Sequence, residues 1–97
     1  MNYTIELTPK ADQDLIEIEV YLSQFYDGTI SRFYKLLVEK VDQLAYSPFM
    51  YPTYENNPKY LKMVVRDYLV FYIVNDDAKT VAIHRILHGT VNITQHI

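Results

Sequence analysis

The chain contains no cysteine, and only two of its 97 residues are glycine. Without cysteine there are no disulfides, no thiolate nucleophile and no cysteine-ligated metal, which suits a reducing compartment. So few glycines leave no Gly-rich loop of the kind that cradles phosphates. Four prolines and a hydrophobic fraction of 49% argue for a folded chain, since disordered chains are apolar-poor. No apolar run approaches the about 20 residues of a membrane span, and the opening MNYTIELTP lacks the basic-then-apolar order of a signal peptide. The expectation is a soluble cytoplasmic protein, one domain over residues 1–97, too small for a second unit to hold a cofactor, so none is expected.

Charge of one sign is scarce where the other gathers. Residues 1–57 hold four Lys and Arg against nine Asp and Glu, whereas residues 58–97 hold five against three. The C-terminal part is therefore the basic part. Its five cations either form a weak patch for a polyanion or are ordinary solvated charges.

Tyr3–Leu7 alternates with the period of a strand. Thr8 then stands as an N-cap with Pro9 at the first helical position, where a missing N–H costs nothing. Ala11, Leu15, Ile18, Leu22 and Phe25 recur at helical steps and form a core-facing stripe, while Asp12, Asp14, Glu17 and Glu19 read as its solvated face. Asp27–Gly28 predicts a turn, with Thr29 as the next cap. Ile30, Phe33, Leu37, Val41 and Leu44 repeat the stripe down to Ser47–Pro48, so two antiparallel helices form a hairpin. Residues 46–60 hold three prolines and four tyrosines without periodicity. Those tyrosines either form a binding surface or anchor a long loop. Residues 60–67, 68–75 and 80–88 then read as a three-strand antiparallel meander with a turn at Asp76–Lys79.

The fold class is accordingly α+β: an N-terminal strand, a helical hairpin and a three-strand meander, with the helices on one face of the sheet. That order, together with YLVFYIVND followed by TVAIHRILHG, resembles the RelE/ParE superfamily of toxins from bacterial type II toxin–antitoxin modules. The resemblance spans nearly the whole chain and is most specific in its last third. It implies a growth-inhibiting toxin neutralised by a cognate antitoxin whose C-terminal segment folds on binding. Two target classes follow from it: DNA gyrase for ParE-like members, and the ribosome with its mRNA for RelE-like endoribonucleases. A non-toxic binding domain of the same fold is the third reading. Many relatives carry an arginine where this chain has Leu69, and two arginines and an aspartate where it has Thr90, Val91 and Asn92. These departures and the acidic net charge favour the ParE-like reading.

If the chain cleaves RNA, Arg66 and His88 are the candidate catalytic residues, because a cation and a group near neutral pKa can stabilise phosphate charge and move protons. Lys62, Tyr72 and Arg85 are candidates for target binding, with Lys62 and Tyr72 placed near the open face of the sheet. On a regular strand His84, Ile86 and His88 share one side, and Arg85 shares the other with Val81 and Ile83. Arg85 interrupts an apolar face, so it either pairs with a helix acid such as Glu17 or Glu39 or reaches the target. Two imidazoles without a carboxylate or cysteine beside them are a poor metal site, and none is assigned. The antitoxin is expected in the groove along the hairpin or on an edge strand at 60–67 or 80–88.

Overall fold

A computed structural model describes residues 2–25 and 27–97, leaving Met1 and Tyr26 outside the described residues. Its elements are β1 (Thr4–Leu7), α1 (Pro9–Leu22), α2 (Thr29–Tyr46), β2 (Leu61–Val65), β3 (Tyr68–Asn75), β4 (Thr80–His88) and a single 3-10 turn, Ile93–Gln95. The sheet order is β1-β4-β3-β2, with β1 parallel to β4 and the other pairs antiparallel. The expected α+β architecture is the observed one. Because β1 lies beside β4, residues 80–88 form an interior strand and not the edge the sequence reading allowed.

Local chemistry sets the helix boundaries. The Thr8 hydroxyl accepts from the Ala11 N–H at 3.2 Å, capping α1 as expected. That helix stops at Leu22 and leaves Phe25 exposed, so Phe25 is not part of the buried stripe. At the start of α2 the cap is Gly28 in the left-handed region, φ 78°, and not Thr29. Asp27 supplies the missing acceptor, taking both the backbone N–H and the hydroxyl of Thr29. Those bonds hold its carboxyl below the usual carboxylate range.

The helices cover one face of the sheet. Ala11, Ile18 and Leu22 of α1 and Phe33, Leu37 and Leu44 of α2 pack on alternate residues of β2, β3 and β4 in the main core. The second face carries a smaller cluster of Tyr60, Phe71 and Leu87, lidded by Tyr54 and by Ile93 and Ile97 near the C-terminus. Tyr51, Tyr54 and Tyr60 thus anchor the long loop, while Tyr46 stands exposed.

A bulge breaks the regular alternation on β4. Phe71 faces Arg85 and Tyr72 faces Ile83, so His84 has no partner on β3. One extra residue reverses the side on which everything beyond it points. Val81 and Ile83 before the bulge and Ile86 after it therefore all enter the main core. The two histidines do not lie together: His84 packs edge-on to Tyr60 of the second cluster, whereas His88 packs edge-on to Tyr68 of the main core.

Edge strand β2 is partly occupied from outside. The Lys62 N–H donates to the Pro52 carbonyl at 3.0 Å, and Lys40 Nζ donates to the Val64 carbonyl at 2.6 Å. Both interactions blunt an edge that would otherwise recruit another strand.

Candidate functional site

A cleft of about 450 Å³ lies between α1 and the C-terminal end of β4. Its floor is an ion pair. Asp14, only 6% exposed, accepts from Arg85 Nε at 2.8 Å and Arg85 Nη2 at 2.9 Å, and also from the Ile86 N–H at 2.9 Å. Arg85 stands opposite Phe71 just past the bulge, and helical spacing puts Asp14 on the face of α1 that its guanidinium reaches. Asp14 is three residues after Ala11 and four before Ile18, so it lies on the buried stripe.

This corrects the reading of Asp14 as part of a solvated carboxylate cluster, and it settles the partner of Arg85. The pair is Asp14–Arg85, not one with Glu17 or Glu39. Hydrogen bonding to Asp14 raises the Arg85 pKa further, against the opposing effect of burial, and Glu17 adds a smaller electrostatic contribution. The other terminal nitrogen of Arg85, Nη1, lies 3.5 Å from His96 Nδ1.

Ile18, Ile86 and Val91 give the cleft apolar walls, and Tyr21, Tyr68 and His88 add rings. His88 sits at the end of β4 with its ring 5.2 Å from that of Tyr68, edge to face. Its Nδ1 accepts from the Thr90 N–H at 3.2 Å and lies 2.7 Å from the Thr90 hydroxyl. The proton of the neutral ring is therefore on Nε2. Burial, then the nearby Tyr21 and Asp67, push the Tyr68 phenol above the ordinary tyrosine range.

The other sequence candidates are dispersed. Arg66 occupies the β2–β3 turn in the left-handed region, φ 54°, at the same end of the sheet as His88, since the Gly89 N–H donates to the Asp67 carbonyl at 2.9 Å. Lys62 lies on the second face, its ammonium 5.7 Å from the centre of the Tyr54 ring. Tyr72 is a correction to the expected placement. It is fully buried in the main core, away from the open face, with its hydroxyl donating to the Pro48 carbonyl at 2.8 Å. That burial holds its phenol protonated well beyond the ordinary range.

His84 is affected in the opposite direction. Burial, reinforced by Lys59, lowers its pKa. Among the described residues no group of three or more His, Asp or Glu side chains is arranged to hold a metal ion, and no helix is long and apolar enough to cross a membrane.

The cleft includes residues the sequence reading did not select. Asp14 was legible from its helical spacing, and Tyr21 from its position three residues after Ile18. His96 carried no such signal, because the segment after β4 has no periodicity.

A family model described as the ParE toxin of type II toxin–antitoxin systems, parDE, matches residues 5–92. No match is found among curated protein sequences. Solved structures of similar fold include the toxin–antitoxin complex RelBE2 from Mycobacterium tuberculosis, 22% identical, covering 91% of this chain and 99% of the other with a TM-score of 0.64. A chromosomal ParDE system from P. aeruginosa is 19% identical, covering 89% and 95% with a TM-score of 0.70. A mutant of the E. coli toxin RelE in the free state is 16% identical, covering 99% and 93% with a TM-score of 0.65. At these identities the structural likeness speaks to the fold.

Proposed function

The chain belongs to the ParE toxin family of type II toxin–antitoxin systems, and from that premise we propose that it arrests bacterial growth in the cytoplasm by poisoning DNA gyrase. A cognate antitoxin holds it inactive in this reading. The choice of gyrase over mRNA rests on the commitment of Arg85 to Asp14 through two hydrogen bonds.

RNA cleavage by activation of the 2′-hydroxyl needs a cation free to meet the extra negative charge of the phosphorane, beside groups that take and give protons. In this chain the Arg85 guanidinium is neutralised by a buried carboxylate, Lys62 is on the far face of the sheet, and Tyr72 is enclosed. Arg66 and His88 share one end of the sheet, but Nδ1 of His88 is occupied by Thr90. Such an arrangement suits recognition better than proton transfer. Arg66, His88 and Lys62 then serve as contacts to the target, with no cofactor required.

The test is pulse labelling of DNA and protein synthesis in the first minutes after inducing the chain without its antitoxin. DNA synthesis is expected to fall first, and the purified chain to make gyrase accumulate cleaved plasmid. A prompt fall in protein synthesis, with ribosome-dependent mRNA cuts abolished by Arg66→Ala or His88→Ala, would instead assign a ribonuclease.

A further inference from the structure

We propose that the cleft between α1 and the end of β4 is a socket for one lysine or arginine side chain of the antitoxin, an inference that rests on the toxin reading above. Three features select that occupant.

The first is charge. Arg85 is the only lysine or arginine lining the cleft, and its partner Asp14 cancels it, with both Asp14 oxygens engaged by Arg85 and the Ile86 N–H. Glu17 also lines the cleft and, among the described residues, has no ion-pair partner within 4.0 Å. The two carboxylates of the cleft therefore outnumber its one guanidinium. An anion entering here meets Glu17 and an arginine already satisfied, whereas a cation meets an unpaired carboxylate.

The second is the apolar lining. Ile18, Ile86 and Val91 flank the floor, and long basic side chains bury a methylene stem along such surface while the charged head stays at a polar rim. The third is aromatic. Tyr21 lines the cleft with a ring that is half exposed, which offers a π face to an ammonium or guanidinium. An apolar side chain would fill the walls but would remove water from Glu17 without compensation.

The second face of the sheet offers no equivalent. There the cations Lys59 and Lys62 already lie over the rings of Tyr60 and Tyr54.

The full-length chain is titrated with the blocked amino acids Nα-acetyl-arginine methylamide, its norleucine analogue and its glutamate analogue, followed by two-dimensional NMR. Saturable shifts at Ile18, Ile86 and Val91 are expected with the arginine compound, weakened about three- to tenfold in Glu17→Gln, a solvent-facing change that circular dichroism checks for retained fold. An equal response to norleucine, indifferent to Glu17→Gln, would reduce the cleft to an apolar pocket. Preference for the glutamate compound would make it an anion site on Arg85. In the complex with its antitoxin, Glu17→Gln should weaken affinity to a similar degree by titration calorimetry. Undiminished affinity there, with arginine binding intact, would overturn the antitoxin as occupant. Absence of growth arrest on induction would defeat the toxin reading itself, while the arginine titration still reads the cleft, so the two failures are distinguishable.

Discussion

The two faces of the sheet solve the same burial problem with different materials. One face is closed by α1 and α2, regular elements that place Phe33, Leu37, Leu44 and Ile18 against the strands and include the Asp14–Arg85 lock. The other buries Tyr60, Phe71 and Leu87 beneath a loop tyrosine and the isoleucines near the C-terminus. A helix-covered face is a rigid jigsaw, whereas a face covered by loop and chain end has a lid that can settle onto a gap. The difference predicts where substitutions hurt, and the cleft between α1 and β4 lies at the border of the rigid side.

The largest effect expected is at the lock. Asp14→Ala leaves the Arg85 guanidinium and the Ile86 N–H without their acceptor, and should cost about 3–5 kcal/mol in urea unfolding. Replacing both partners by apolar residues of similar size should recover much of that loss. If Asp14→Ala costs under about 1 kcal/mol, the lock is not what joins α1 to β4.

The comparison is sharpest between two phenylalanines that are both essentially inaccessible, Phe33 and Phe71. Truncation to alanine should cost about 3–5 kcal/mol at Phe33 and fall toward the lower end of that range at Phe71, where Tyr54 and Ile97 can close in. Equal losses in parallel unfolding curves would show the second face to be as rigid as the first.

A smaller effect follows at Tyr72, whose hydroxyl bonds the Pro48 carbonyl. Tyr72→Phe should cost about 1–2 kcal/mol by leaving that acceptor unpaired. Its pKa is raised in the folded state, chiefly by burial, so its contribution is complete below the ordinary value of 10.0 and is lost as pH rises above it. Stability should therefore fall more steeply as pH rises from about 9 to about 11 in the parent than in Tyr72→Phe, as read from unfolding midpoints at each pH.

The second face has the opposite signature and the smallest effect. The folded-state pKa of His84 is lowered, so its contribution is present above the ordinary 6.5 and is lost as pH falls through the lower folded value. Acid titration of stability should lose part of its slope in His84→Gln, and an unchanged slope would mean that His84 is freely solvated.

Much of this was readable in advance. Thr8–Pro9, Ser47–Pro48 and the alternation of residues 61–75 announced their elements because caps, proline and strand periodicity act over a few residues. The site was less legible for an equally physical reason. Asp14 was read as solvent-facing because it is charged, although its spacing from Ala11 and Ile18 put it on the buried stripe, where a carboxylate persists only with a partner. That partner, Arg85, is 71 residues away.

The sequence by itself determined the α+β class, the helical hairpin and the meander, since each rests on local propensity and period, and its last third carried the family resemblance. Only the tertiary structure decided which face each late residue joins. The bulge opposite Phe71 and Tyr72 reverses the parity of β4 and separates His84 from His88, and the packing of α1 on β4 brings Asp14 within reach of Arg85. Strand periodicity cannot forecast a bulge, because an extra residue is tolerated only when long-range pairing and a buried ion pair compensate for the ladder it interrupts.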